Sequence, residues 1–201
     1  MKLYYKSGVC SLAAHIILHE AQIEHSIESV DFDTKKTQSG DNFLEINDKG
    51  SVPYLLLDSG EGISESAAIL QYLADQHPQF NLAPKNATLQ RAHLQAWLNY
   101  CASEFHKSHW PIFHAKQAGE QVRELYLGKV KTCYNYLEKH LQNKDYIMGE
   151  FTIADAYIFT VLTWHKPLKI DISSWNTLVK YKKRMMTRSS VQQAMRAEGL
   201  M

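Results

Sequence analysis

The sequence predicts two units, a small α/β unit over residues 1–80 and a larger all-α unit over residues 87–201. Three observations carry this prediction. Apolar spacing in the first 77 or so residues switches between strand-like and helix-like periods. After residue 87 only helical spacing is found. Nine glycines and five prolines in 201 residues are roughly half the usual share, which favours long regular elements.

The first unit reads β-α-β-loop-β-β-α. Leu3-Tyr4-Tyr5 is a short β-type run. Residues 11–21 place Leu12, Ile16 and Glu20 four apart, with Ile17 beside them, as a helix requires. Residues 26–32 alternate loosely through Ile27, Val30 and Phe32 and predict a second strand; residues 34–40 are polar loop. Residues 53–57 predict a third strand, Asp58-Ser59-Gly60 a turn, and residues 61–63 a fourth strand. Residues 66–76 predict a helix that stops before Pro78. Residues 79–86 read as a linker around Pro84.

In the second unit Leu94, Leu98, Cys101 and Phe105 make one helical stripe, and Tyr126, Val130, Cys133, Leu137 and Leu141 make another. Residues 154–164 are apolar nearly all round, which predicts a central, buried helix. Thr152-Ile153-Ala154-Asp155 is a capping box at its start, with Phe151 placed for a hydrophobic staple, and reads as structural. Residues 176–188 and 191–197 predict shorter helices.

Composition excludes several classes of function. Lys plus Arg number 22 against 21 Asp plus Glu, a net charge of +1, so no global field draws nucleic acid or an anionic membrane. No apolar run approaches the roughly 18 residues of a membrane span. Residues 1–18 faintly mimic a secretory signal, but His15 interrupts the apolar stretch and no small-residue cleavage site follows. Three scattered cysteines, Cys10, Cys101 and Cys133, make no disulfide framework and suggest a reducing, cytoplasmic location. His15 and His19 are four apart and His106 and His109 three apart, but neither pair has the carboxylate neighbour of a zinc motif, so no metal is expected.

Four places could carry chemistry. Cys10 follows a strand and precedes a helix, where the partial positive charge of the helix N-terminus favours thiolate. Position 13 is Ala, so Cys10 has no resolving partner; its alternative fate is a small buried hydrophobe. Gly50-Ser51-Val52-Pro53 precedes an apolar strand, and a cis bond there would turn the Val52 backbone toward an extended peptide, though an ordinary strand-start proline fits equally. Ser66 opens a helix as a cap, leaving N–H groups for a carboxylate, with Glu65 beside it for an ammonium group. Asn99, Ser103 and His106 are spaced to share one face of a single helix, opposite the apolar stripe, with Lys107 adjoining. A solvated face is the plain alternative, although such faces tend to use Glu and Lys.

Taken together, Lys2-Leu3-Tyr4-Tyr5, Cys10-Ser11-Leu12-Ala13, Gly50-Ser51-Val52-Pro53, Glu65-Ser66-Ala67-Ala68-Ile69-Leu70-Gln71-Tyr72-Leu73, Trp97-Leu98-Asn99, Ser103-Glu104-Phe105-His106-Lys107 and Phe151-Thr152-Ile153-Ala154-Asp155-Ala156 resemble the glutathione S-transferases, and specifically their bacterial beta class. The resemblance covers essentially the whole chain. It implies a thioredoxin-like N-terminal domain, an all-helical C-terminal domain, a homodimer, and glutathione as cosubstrate. It also implies site roles. Val52 would pair its backbone with the cysteinyl part of glutathione, Glu65 and Ser66 would hold the γ-glutamyl end, and Lys35 would meet the glycyl carboxylate. Asn99, Ser103, His106 and Lys107 would complete the site from the helical domain. Cys10 and His106 are the candidate catalytic residues; Tyr5 and Ser11 are further candidates for a hydrogen bond to the glutathione sulfur. Trp110, Phe113 and Trp164 would line the site for a hydrophobic electrophile. The implied activity is conjugation of glutathione to such electrophiles, with thiol–disulfide exchange at Cys10 as a second activity. A non-catalytic ligand-binding or protein-binding member of the fold is the alternative.

Overall fold

The first strand, β1 (Lys2–Tyr5), is the axis of a four-stranded sheet in the order β2-β1-β3-β4. The computed structural model describes residues 1–114 and 119–201. Its contacts divide the chain into two units, Met1–Ala83 with Arg188–Met201, and Pro84–Thr187.

In the first unit β1 pairs in parallel with β2 (Ser26–Ser29), setting Leu3 opposite Ile27. A parallel pair needs a crossover, which α1 (Ser11–Glu20) supplies. On the other side β1 runs antiparallel to β3 (Tyr54–Leu56), with Leu3 opposite Leu55, and β3 turns back into β4 (Gly62–Ser64). Tyr54 lies across Gly62 so closely that a Cβ there would meet its hydroxyl at 1.8 Å, which explains the glycine. This β-α-β, β-β plan with a following helix, α3 (Ser66–Gln76), is the thioredoxin-like arrangement that the resemblance implies.

Two features were not foreseen from the sequence: one short helix, and the unit to which the last helix belongs. A single-turn helix α2 (Phe43–Ile46) begins at Asn42, whose side chain accepts the Leu44 N–H. It exists to seat Phe43, which packs with Tyr4, Val30 and Val52. The second concerns the last helix, α9 (Ser189–Ala197), which packs on α1 and belongs to the first unit. The sequence reading places it with residues 87–201. Arg188 and Ser190 both bond the Glu20 carboxylate at the end of α1. Cover from α3 and α9 explains why α1 is buried almost all round, with Leu12, Ala13, Ala14, Ile16, Ile17 and Leu18 all sealed from water.

The second unit is helical: α4 (Leu89–Tyr100), a π-helical turn (Cys101–Phe105), α5 (His106–Phe113), α6 (Glu120–His140), α7 (Ile153–Thr163) and α8 (Asn176–Thr187). Both apolar stripes face inward, apart from half-buried Tyr126, and every residue from Ile153 to Leu162 is buried, as the sequence predicts for α7. The capping box at Thr152 and Asp155 is formed. The Glu138 carboxylate caps α8, accepting the Thr177 and Leu178 N–H groups at 2.9 Å each.

Candidate active site

Between β1 and α1 the chain turns through Ser7 and Gly8, and Glu198 holds the turn. Its carbonyl accepts the Ser7 hydroxyl at 2.6 Å and its carboxylate accepts the Gly8 N–H at 2.9 Å. Ser11 closes the turn by donating to the Lys6 carbonyl at 3.1 Å and accepting the Lys6 N–H at 3.3 Å. Its hydroxyl is therefore committed to the backbone, which removes it as a ready partner for an external sulfur. Cys10 is thereby fixed as the N-cap of α1, half-buried and in no disulfide. Its Sγ donates to the Val52 carbonyl at 3.4 Å, and the Val52–Pro53 bond is cis. The N-terminus of α1 is less open than Cys10's position alone predicts. The Leu12 and Ala13 N–H groups already bond the Val9 and Cys10 carbonyls, at 3.0 and 3.2 Å.

Lys35 sits in a loop that is well bonded. The Asp31 carboxylate accepts the Asp33 and Thr34 N–H groups, and Phe43 N–H bonds the Lys35 carbonyl. The Lys35 ammonium donates to the Gly50 carbonyl at 3.0 Å, two residues before Val52. Gly50 has φ +56, and a Cβ there would meet Leu44 at 2.8 Å, so only glycine suits this turn.

The start of α3 differs from the predicted serine cap. Glu65 is the N-cap, at φ +73, and Ser66 is the first helical residue, almost fully buried. No side chain caps this helix. The Ala68 and Ile69 N–H groups both bond the Glu65 carbonyl, at 3.1 and 3.0 Å. The Ser66 and Ala67 N–H groups have no acceptor among the described residues, leaving the positive end of the helix open to an anion. The exposed Glu65 carboxylate pairs with Lys49 at 3.0 Å. Positive φ in a glutamate is a backbone outlier costing about 1–3 kcal/mol.

In the second unit a π turn separates Asn99 on α4 from His106 on α5. The π turn between α4 and α5 bonds i to i+5, so each turn holds an extra residue and the later side chains lag behind α-helical phase. Ser103 and Lys107 line a cavity of about 490 Å³ with Tyr100, Glu104, Tyr126 and Tyr136. His106 points to a different neighbourhood. Its Nδ1 lies 2.9 Å from the Tyr157 hydroxyl and its ring meets Trp164 edge-on at 4.8 Å. Asn99 is exposed on α4. The three aromatic residues suggested for an electrophile site also divide. Phe113 packs on buried Trp164 at 5.7 Å, while exposed Trp110 stacks on His114.

Comparison with known families decides the assignment. The family model for the glutathione S-transferase N-terminal domain matches residues 8–76, and that for the C-terminal domain matches residues 100–189. The chain belongs to the glutathione S-transferase family. It is 39% identical to the glutathione S-transferase GstA of Escherichia coli O157:H7 over the full length of both chains. A beta-class glutathione S-transferase from Sphingomonas chungbukensis superposes with a TM-score of 0.96 at 41% identity, over all of both chains. A sphingomonad glutathione S-transferase solved with glutathione does so with a TM-score of 0.96 at 38% identity, again over all of both chains. The protein is thus an enzyme, a glutathione transferase related to the bacterial beta class.

Two residues of this transferase's candidate site escaped the sequence reading. Lys49 pairs with Glu65 and also bonds the Ser64 hydroxyl at 3.2 Å. Its signal is its place in the Asn47-Asp48-Lys49-Gly50 turn just before Val52. Tyr157 is the hydrogen-bond partner of His106. A tyrosine in a buried, mostly apolar helix needs a partner for its hydroxyl, which is the clue the sequence offers.

Proposed function

We propose that this transferase binds glutathione chiefly through its first unit and adds the sulfur to hydrophobic electrophiles. The observation that carries this is the uncapped start of α3. Two N–H groups without acceptors among the described residues, the Ser66 residue and the Glu65 carboxylate stand in consecutive residues. An amino acid's carboxylate suits the N–H groups and its ammonium suits Glu65, which is the chemistry of a γ-glutamyl end. Val52 supports the same reading, because no acceptor among the described residues takes its N–H, so it can pair with the cysteinyl backbone. Lys35, already directed at Gly50, takes the glycyl carboxylate. Asn99, Ser103 and Lys107 are assigned further polar contacts to the tripeptide.

In conjugation the glutathione sulfur, as thiolate, bonds an electrophilic carbon and the leaving group departs with its electron pair. His106 takes the thiol proton or donates to the thiolate. Thiol–disulfide exchange is a second activity, favoured by a half-buried Cys10 that is in no disulfide and has Ala, not Cys, at position 13. There the Cys10 thiolate attacks one sulfur of a glutathione disulfide, forms a mixed disulfide and releases one reduced glutathione. The enzyme acts as a homodimer in a reducing, cytoplasmic setting; three cysteines in no disulfide agree with that setting.

Calorimetric titration with reduced glutathione tests the binding reading. Loss of affinity in Glu65→Ala supports it, and unchanged affinity overturns it. Turnover of a generic aryl chloride against a mixed-disulfide substrate separates the two activities. Failure of both in a protein that still binds hydrophobic ligands would support the non-catalytic alternative.

A further inference from the structure

Three histidines come together on the side of α1 that ends near the start of β2. His15 and His19 lie one helical turn apart, and the chain then reverses. Gln22 adopts φ +53, with Gln22 N–H bonded to the His19 carbonyl at 3.1 Å and Ile23 N–H to the Leu18 carbonyl at 2.9 Å. This is a Schellman-type helix end. It folds His25 back onto α1, so the rings of His15, His19 and His25 sit 4.9, 5.5 and 5.0 Å apart. The sequence offers only the pair at 15 and 19; the third member arrives through this turn.

The geometry points to a divalent transition-metal site, of zinc type, formed by the imidazoles of His15, His19 and His25. One candidate ligand nitrogen from each ring lies within 4.8 Å of the other two. Tetrahedral zinc with Zn–N bonds near 2.0–2.1 Å sets its nitrogens roughly 3.3 Å apart, so the rings must close in by about 1 Å each. The outer hydrogen bonds are those of a metal site. His15 Nδ1 meets the buried Glu198 carboxylate at 3.0 Å, and His25 Nδ1 meets the Ile23 carbonyl at 2.7 Å. Each therefore carries its proton on Nδ1 and presents an Nε2 lone pair. His19 Nε2 is sealed from water with no hydrogen-bond partner, a condition that buried polar atoms rarely tolerate. A metal ion is the partner that satisfies it. Three neutral imidazoles suit Zn²⁺, Co²⁺, Ni²⁺ or Cu²⁺ and not the hard cations that prefer oxygen. Both His19 and His25 are half-buried, which leaves a path from solvent.

The ion would tie the end of α1 to the start of β2. Through His15 it would also reach Glu198, which holds Gly8 two residues before Cys10.

The test uses the whole protein, stripped with a chelator and titrated with Zn²⁺ by calorimetry and with Co²⁺ by visible absorption. The expected result is one ion per chain, a Co²⁺ ligand-field band, and a rise in melting temperature with Zn²⁺. His19→Ala, at the half-exposed end of the helix, should weaken binding at least about 100-fold, and Glu198→Gln, acting through His15, by about 10- to 100-fold. His93→Ala, on an exposed face of α4, should change nothing. Uptake below one ion per chain, or uptake that survives both His19→Ala and His25→Ala, would overturn the proposal. So would a loss in His93→Ala equal to that in His19→Ala.

Discussion

The Nδ1 of His106 lies 2.9 Å from the hydroxyl of Tyr157, 51 residues away on α7. A hydrogen bond of this kind fixes both the ring plane and the tautomer. With Nδ1–H donated to Tyr157, Nε2 is an acceptor; with the reverse polarity it is a donor. In the proposed mechanism Tyr157 is thus a positioning residue for the proton assigned to His106. His106→Ala should lower conjugation of glutathione to an aryl chloride by about 10²-fold or less, the low end for a positioned acid–base group. Tyr157→Phe should lose about 2- to 10-fold, the equivalent of one hydrogen bond of ~0.5–1.5 kcal/mol, and should displace the acid limb of the pH–rate profile. A Tyr157→Phe loss as large as that of His106→Ala would reverse the two roles.

Cys10 should show a split phenotype. Its thiol faces the Val52 carbonyl at 3.4 Å, and a thiol is a poor hydrogen-bond donor. Cys10→Ala should therefore abolish the mixed disulfide and exchange activity while keeping much of the conjugation. Mass spectrometry after treatment with glutathione disulfide reads the adduct directly. An adduct that persists without Cys10, or conjugation that disappears with it, contradicts this division.

The sheet and most helices were legible because their signals are local. The short apolar runs around Leu3 and Leu55 and the period of Leu94, Leu98, Cys101 and Phe105 belong to single elements. What was not legible depends on partners or phase. The stripe of α9 is visible, but nothing in it names α1 as the surface that covers it. The π turn at Cys101–Phe105 has no side-chain signature, so the phase it adds between Asn99 and His106 was not foreseen. At the start of α3 a serine beside a glutamate suggested a serine cap. The structure gives the cap position to Glu65 at positive φ, a choice that helix propensity opposes. Candidate residues that stand alone in the sequence, such as Cys10, were easier to pick out than those defined by a contact, such as Tyr157.

Strain at Glu65 leads to a separable effect. Glu65→Gly removes the side chain that makes φ +73 costly, which offsets the entropy glycine adds to the unfolded chain. Only a surface ion pair with Lys49 is lost, worth about 0–1 kcal/mol. Stability should therefore stay level or rise slightly, while glutathione affinity falls by the ~1.5–3 kcal/mol of a charge-assisted contact. Calorimetry and thermal melts on the same variant check both halves. A variant that melts several degrees lower, with unchanged affinity, would mark Glu65 as structural.

Asp155 should serve folding and not chemistry. Its fully buried carboxylate accepts the Ile147 N–H, the Thr152 N–H and hydroxyl, and the Tyr181 hydroxyl, at 2.9, 2.9, 3.2 and 3.1 Å. Asp155→Ala leaves these donors buried and unpaired, at about 1–3 kcal/mol for each that water cannot reach. The melting temperature should fall sharply, and the fraction that folds should keep its turnover per active site. Reduced turnover at unchanged stability would reverse the assignment.

The last prediction concerns acid. His109 is sealed inside the second unit between the Phe105 carbonyl at 2.7 Å and the Tyr134 hydroxyl at 3.2 Å. Burial pushes its pKa down to about 4, against the opposing pull of the Phe105 carbonyl, whereas in the unfolded chain it titrates near 6.5. Between those values the unfolded chain binds a proton that the folded chain refuses. Stability should therefore fall as pH drops from about 6.5 to about 4 and the loss from this group should level off below that, reaching at most about 3 kcal/mol. Glu28 acts in a lower window. Burial raises its pKa, but hydrogen bonds from Lys2, Ser39 and Thr37 outweigh it and bring it to about 2, so its contribution is lost only as pH falls from about 4.5 toward 2. His109→Gln retains a group that can meet both neighbours but cannot titrate. Its stability at neutral pH should be modestly lower than the parent's, and the difference should shrink as pH falls through 6 and 5. Chemical denaturation at a series of pH values measures this, and parallel curves for parent and variant across that range would show that His109 is not a source of the acid sensitivity.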